Sequence, residues 1–480
     1  MPSASALAAL GYHFYHRGYF EAAHDYWSDA LERGVDRTVV AEIQDGLGRM
    51  AAQRGRPGDA VGHFQQALAA LPSDASAATR AAIDMRSAMA LARLGDRDQA
   101  LRQAYQVVQT HKPSEPINSA LRINLAALQI DNGLYRLAVD TLTDALEHLG
   151  TEQIPRYGYA LQTNLGICLL ETNRISDARA SFLQALTLPT ESTIHAINGL
   201  ARIAIVDHRV DEMAVWGARA FAQMWDTLMS FEPEELARLA EVLGHMALSF
   251  DDGRLAVRLF DRAQALYGRV GLWAEWSALN AVLTAAEQLP DQQAKTGMAD
   301  ELRRFAVLLE SMLAQELVDS RAPALADVRH WMADRLAESL GWTQDERQHL
   351  AYVCRLADLG LSAVGISDIH EAAGQADHPL YERHPELSVR LLDRLELPEA
   401  VVAGILDHHE RWDGSGFPGG KSGAAIARAA RIFATADMYA RQTMAGQRHR
   451  DVLHHMQGQA QGGLDPDCVA ALLEEFTVEV

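Results

Sequence analysis

What this chain has little of narrows it before any motif is read. It has three cysteines, Cys168, Cys354 and Cys468, far apart and in no CxxC arrangement. Each sits among apolar neighbours, so they read as buried free thiols and not as a disulfide framework or a zinc ribbon. No block of lysine or arginine occurs, and the formal net charge is −21. Such a chain repels a phosphate backbone, which argues against broad nucleic-acid binding; a local basic pocket for one small phosphorylated ligand stays open. No run approaches the ~18 consecutive apolar residues that a membrane span needs. The first residues, MPSASALAALGYHFYHRG, lack a basic start followed by an apolar core, so no secretory signal is expected and the chain reads as cytoplasmic. Proline is sparse, at 15 of 480 residues, and β-branched runs are scarce, whereas Ala, Leu and Arg abound. That balance excludes a disordered chain and favours an all-α fold, with a length suited to more than one domain.

What is there first is a repeat. Leu10–Gly11, Gly18, Ala23, Trp27 and Ala30 recur at identical offsets as Leu47–Gly48, Gly55, Ala60, Phe64 and Ala67, followed by Pro72. Small residues at Gly11 and Ala23 allow two antiparallel helices to approach closely, Trp27 or Phe64 fills the groove towards the next hairpin, and Gly18 or Gly55 permits the turn. This pattern resembles the tetratricopeptide repeat. Further copies fall at Ala88–Ala100, Leu125–Ala145, Leu165–Ala185, weakly at Leu200–Ala220, and clearly at Leu243–Ala263, which predicts about seven hairpins over residues 1–290. Trp273, Trp276 and Leu279 belong to an expected closing helix. Such an array offers a concave surface for a protein or peptide partner; the bland alternative is a spacer or a dimerisation scaffold. Residues 291–323 break the repeat and hold one helical stretch, Ala299 to Val318, expected to connect the array to a domain at 324–480.

The most informative run is Asp407-His408-His409-Glu410, continuing through Trp412, Asp413, Gly414, Gly416, Phe417 and Pro418. Paired imidazoles before a glycine-rich turn suit a transition metal, and the glycines let backbone N–H groups turn towards phosphate oxygens. Asp413 reads better as a cap of that turn than as a ligand.

This run resembles the HHExxDGxGYP signature of HD-GYP domains, a branch of the HD metal-dependent phosphohydrolases, with Phe417 in place of the usual tyrosine. The resemblance extends through Glu382–Leu392, Ala429–Ala440 and Gly463–Leu473, about 150 residues in all. It implies a helical domain that binds two or three metals, often iron or manganese, and hydrolyses cyclic di-GMP. Carried over residue by residue, it implies metal ligands at Asp358, His384, His408 and His409, and a weaker one at Asp437. It also marks losses. Where the family has His-Asp-x-Gly-Lys, this chain has Ala357-Asp358-Leu359-Gly360-Leu361, and the upstream histidine falls on Leu325, with His330 five residues out of step. The family's proline-rich segment after the motif is altered to VGISDIHEAAGQADHP.

Sorted by metal, one position keeps Asp358, His384, His408 and His409, and the other keeps only Asp358 and Asp437. The expectation is therefore a half-site for one transition metal, iron or manganese or another divalent ion, with a second metal disfavoured. His349 and His370 are weak substitutes, and His454 and His455 read as surface residues. Two functions follow. One is a degenerate, signalling domain that binds cyclic di-GMP or a partner, with the array recruiting a protein. The other is a slow phosphodiesterase in which Asp358 remains catalytic. A homodimer is compatible with either.

Overall fold

The protein is described by a computed structural model over residues 3–112, 115, 117–190, 192–224, 233–289, 297–318, 322–364, 379–395, 397–460 and 462–476. Pro290 to Lys295, Arg321, His370 and nearly all of the altered proline-rich segment thus lie outside the described residues. Those described are helical with no strand, apart from an isolated bridge between Ala460 and Leu464. None of the described helices is long and apolar enough to cross a membrane. The chain divides into two compact units, Met1–Gln223 and Met224–Val480.

The first unit is a file of antiparallel hairpins. These pair α1 (Ala4–His16) with α2 (Phe20–Arg33), α3 (Arg37–Gln53) with α4 (Pro57–Ala70), and α5 (Ala77–Leu94) with α6 (Arg97–Gln109). They continue with α7 (Asn118–Asp131) and α8 (Tyr135–Glu147), α9 (Tyr159–Glu171) and α10 (Ile175–Ala185), and α11 (Ile194–Val206) and α12 (Val210–Ala222). At two of the joints the sequence pattern works through one large ring. Trp27 is fully buried, and a Cβ at Gly11 would come within 2.2 Å of its ring, one at Gly46 of the following hairpin within 2.4 Å. Phe182 repeats the device, pinched between Gly166 of its own hairpin and Gly199 of α11, where a Cβ would sit 2.6 and 2.3 Å away. The turns use left-handed glycines at Gly18 (φ 81°) and Gly55 (φ 66°), a conformation that side chains with a Cβ resist. The weak sixth copy is thus a full hairpin, locked to the fifth by Gly199.

In the second unit the seventh hairpin, α13 (Pro233–Ser249) with α14 (Gly253–Val270), is followed by α15 (Trp273–Glu287). This closing helix buries Leu279 but leaves Trp273 61% and Trp276 38% exposed. The expected connecting helix is α16 (Gly297–Val318), and it is a packed element and not a bare linker. Leu302, Phe305, Leu308 and Leu309 are buried, and Arg258 of α14 forks onto Glu310 with both bonds at 2.9 Å. The rest of the unit comprises α17 (Ala322–Ser339), α18 (Gln344–Leu356), a 3-10 segment (Ala357–Ala363), α19 (Pro379–Glu382), α20 (His384–Leu392) and α21 (Glu399–Asp407). It closes with α22 (Arg428–Met444), α23 (His449–Gln459) and α24 (Pro466–Glu475). Here α17 packs on α18 and α22, while α16 packs on the 3-10 segment and on α20. Cys168, Cys354 and Cys468 are all buried free thiols.

Because the joint between the fifth and sixth hairpins rests on Phe182 against Gly166 and Gly199, Phe182→Ala is expected to cost about 3–5 kcal/mol. Gly199→Val should be comparably damaging, since its Cβ has no room. Urea unfolding of the full chain checks both, with a lowered first transition expected.

Candidate metal centre

Asp358 is placed by the end of α18. That helix starts in a capping box, where Thr343 and Glu346 satisfy each other's backbone N–H, and its last turn tightens into the 3-10 segment that carries Asp358. The segment lies flat on the start of α20, where a Cβ on Gly360 would fall 2.1 Å from the carbonyl oxygen of His384. Ser388 ties the two together: its hydroxyl donates to the Ala357 carbonyl at 2.6 Å and accepts from the Gly360 N–H at 2.7 Å. Asp358 is thereby held from both sides of its own peptide.

His384 opens α20 and His408 follows α21. The Nδ1 of His384 donates to the Tyr381 carbonyl at 2.6 Å, and that of His408 to the Ile405 carbonyl at 2.6 Å. A carbonyl can only accept, so both rings carry their proton on Nδ1 and turn bare Nε2 lone pairs inward. The two Nε2 atoms are 3.0 Å apart, and each is 3.6 Å from Oδ1 of Asp358. That buried oxygen has no hydrogen-bond partner among the described residues. Three electron-rich atoms facing one another at these distances repel unless a cation stands between them. His409 stacks on Phe417 with ring centroids 4.7 Å apart and completes the group: one donor atom from each of Asp358, His384, His408 and His409 lies within 4.8 Å of the others. Burial lowers the pKa of His408 below 6.5 and that of His409 well below it, which keeps both rings neutral and able to ligate. Three imidazoles and one carboxylate fit a single transition metal, and backbone carbonyls orienting two of the rings match the support such ligands need.

Asp437 of α22 stands outside this group. Its Oδ1 accepts from Nη1 of Arg329 at 2.9 Å and its Oδ2 from Nε of Arg441 at 2.7 Å. The same Nη1 of Arg329 donates to Oδ2 of Asp358 at 2.8 Å. Arg329, on α17, is 2% exposed; its Nε and Nη2 both donate to the Cys354 carbonyl, and its guanidinium lies 4.4 Å over the ring of Phe433. Burial alone would raise the Asp358 carboxyl, but the Arg329 guanidinium outweighs it and holds the group well below the usual carboxylate range. Sequence reasoning missed Arg329. It lies one helical turn, i to i+4, beyond Leu325, on the same face that would have carried a histidine, a position that gains meaning only once Asp358 and Asp437 are seen to meet there.

The glycine-rich turn spends its N–H groups internally. Gly419 and Lys421 donate to the two carboxylate oxygens of Glu410 at 2.6 and 2.9 Å, and the Lys421 ammonium forks onto Asp407 at 2.7 and 2.8 Å. Asp413 accepts from the N–H and hydroxyl of Ser415 at 2.9 and 2.5 Å. Gly414 adopts φ 80°, a Cβ at Gly416 would meet the Arg411 nitrogen at 2.4 Å, and the Phe417–Pro418 peptide is cis. The turn thus sets Phe417 against His409. A cavity of about 500 Å³ opens beside the group, with Tyr381, His408, His409, Arg411, Phe417 and Arg441 on its walls. Ala357 is fully buried, His454 and His455 are exposed, and neither His330 nor His349 joins the cluster.

Residues 308–468 match the HD domain family. Curated relatives include the cyclic di-GMP phosphodiesterase response regulator RpfG of Xanthomonas campestris pv. campestris, 32% identical over 36% of this chain and 48% of that protein. A cyclic di-GMP phosphodiesterase of Thermotoga maritima is 30% identical over 23% of this chain and 31% of its own length. The 3'3'-cGAMP-specific phosphodiesterase 2 of Vibrio cholerae is 32% identical over 22% and 21%. The chain spans about half the length of the first of these relatives and less of the other two. Among solved structures, TPR-like repeats of a putative kinesin light chain from Podosopora anserina align with 40% of this chain and 99% of that one, at 20% identity and TM-score 0.35. A Rap protein complexed with Competence and Sporulation Factor aligns over 56% and 85%, at 14% identity and TM-score 0.39. Residues 308–468 therefore form an HD domain similar to those of cyclic di-GMP phosphodiesterases, and helical hairpins precede it.

Two outcomes follow from this geometry. Ser388→Ala leaves the Gly360 N–H without its buried partner, at an expected cost of about 1–3 kcal/mol by denaturation, and loosens the backbone that aims Asp358. An unchanged unfolding midpoint would remove Ser388 from that role. Burial also lowers the pKa of His330 from 6.5 to about 4. The unfolded chain takes up that proton first, so stability is full above about pH 6.5 and drains as pH falls towards about 4. His330→Gln is expected to flatten the stability curve across that window, measured by urea unfolding at a series of pH values.

Proposed function

We propose that the HD domain binds one divalent transition metal, iron or manganese, through Asp358, His384, His408 and His409, and recognises a cyclic dinucleotide in the adjoining cavity with hydrolysis impaired. The observation that carries this reading is the single convergent group of one carboxylate and three imidazoles, with the remaining carboxylate, Asp437, tied to two arginines. The names of the relatives supply the ligand class, cyclic di-GMP or 3'3'-cGAMP. A bound ion supplies Lewis acidity towards a phosphoryl oxygen and lowers the pKa of a water.

This chain's own residues supply the rest. Arg441, its side chain partly exposed, and Arg411 both line the cavity, so two cations are available to a phosphodiester. Tyr381 and Phe417 offer ring faces to a base. What is missing is the histidine at Ala357 and the cation at Leu361; each such transition-state contact is worth roughly 10²–10³ in rate. The hairpin array gives the chain a surface for a protein partner, and the groove of about 730 Å³ in the third hairpin, walled by Arg80, Asp84, Arg102 and His111, is a polar place for a peptide. Together these make a signalling protein in which ligand recognition, and not turnover, is the output.

A slow metal-dependent phosphodiesterase is the second reading, favoured by the four ligands kept at one position. Metal analysis and a cyclic di-GMP assay with added manganese or ferrous iron separate the two. Near-stoichiometric single metal, with ligand binding and no turnover, is expected. Turnover abolished by Asp358→Ala would replace the first reading with the second, and a protein that takes up no metal would end both.

A further inference from the structure

We propose that Arg329 is a resident cation standing in the place of a second metal ion, and that it fixes the capacity of this domain at one. The inference rests on the single-metal reading above and adds what enforces it. One nitrogen, Nη1, lies 2.8 Å from Oδ2 of Asp358 and 2.9 Å from Oδ1 of Asp437, so it occupies the point at which an ion bridging the two carboxylates would sit. The two oxygens of Asp358 face different neighbours. Its Oδ2 faces the guanidinium, while Oδ1, with no hydrogen-bond partner among the described residues, faces the Nε2 atoms of His384 and His408.

The guanidinium is not a passing visitor. Its other nitrogens are bonded to the Cys354 carbonyl, the ring of Phe433 covers its face, and its side chain is 2% exposed. Unlike a bound metal it is covalently part of the chain, and it stays charged at any ordinary pH. The charges also balance without a second ion. Asp358 and Asp437 carry two negative charges, and Arg329 and Arg441 supply two positive ones within ion-pair distance. A second divalent ion would have to displace Nη1 and then sit beside a buried guanidinium whose carboxylate partners, among the described residues, are Asp358 and Asp437. No imidazole would reward it, since Ala357 and Leu325 offer no ligand atom.

The test counts ions and does not depend on turnover. Full-length protein stripped with a chelator is titrated with Mn²⁺, desalted and analysed for bound manganese, and its electron paramagnetic resonance spectrum is recorded. Wild type and Arg329→Lys are expected to saturate at one ion with an uncoupled spectrum, even at large metal excess. Arg329→Ala and Arg329→Gln, which leave two facing carboxylates without their cation, are expected to take a second ion and show exchange coupling. The Gln variant fills the space that Ala empties, so a cavity alone does not decide the result. Arg329→Ala combined with Asp437→Asn removes one charge of each sign and should return to one ion. Two ions in wild type, or one ion in both folded neutral variants, overturns the proposal. If neither neutral variant folds, the wild-type count at metal excess decides, and a second ion there overturns it. No ion in wild type instead overturns the single-metal reading on which the proposal rests.

Discussion

The Asp358 carboxylate is the constraint on which the second unit depends. It is 4% exposed, with Arg329 on one oxygen and two imidazoles converging on the other. A carboxylate so placed is costly to bury unless it is paired; losing one partner of such a pair typically costs ~3–5 kcal/mol. That demand explains the surrounding architecture: α17 brings Arg329, α22 brings Asp437 and Arg441, α20 brings His384, and the end of α21 brings His408 and His409. Each helix of the domain's centre is tied to the others through one anion.

The same economy governs the glycine-rich turn. Its N–H groups could have faced a ligand, yet Gly419 and Lys421 give theirs to Glu410, while Lys421 and the Ala427 N–H satisfy Asp407. Both carboxylates are buried, at 4% and 1% exposed, and need those donors more than an open site does. The turn therefore acts as a rigid bracket that presses Phe417 on His409 and fixes the outer imidazole. In the hairpin unit the joints at Trp27 and Phe182 use a different device, one aromatic ring interlocked with two glycines, which is a matter of dispersion and shape.

Helix α16 shows how a sequence boundary and a structural one differ. Its three- and four-residue apolar period announces a helix, and a break on either side makes it look like a connector. In the structure its two sides are both used, one against the seventh hairpin through Arg258–Glu310 and the other against the segment that carries Asp358.

By itself the sequence determined the all-helical class and the repeating hairpins, because both are written in local spacing, the offsets of Gly, Ala and aromatic residues; the four residues that converge were marked by the resemblance of their flanking motifs to a known family. It also showed which ligands were lost. What it did not show is what replaced them. Arg329 sits between Leu325, where a ligand was missing, and His330, which resembled a substitute, and nothing local distinguishes it from the many other arginines of this chain. Its role exists only because α17, α18 and α22 meet at a point where Asp358 and Asp437, 79 positions apart, share one nitrogen. A long side chain can answer a buried charge from any turn of a neighbouring helix, so compensation of that kind is decided by the tertiary structure and leaves no spacing to read.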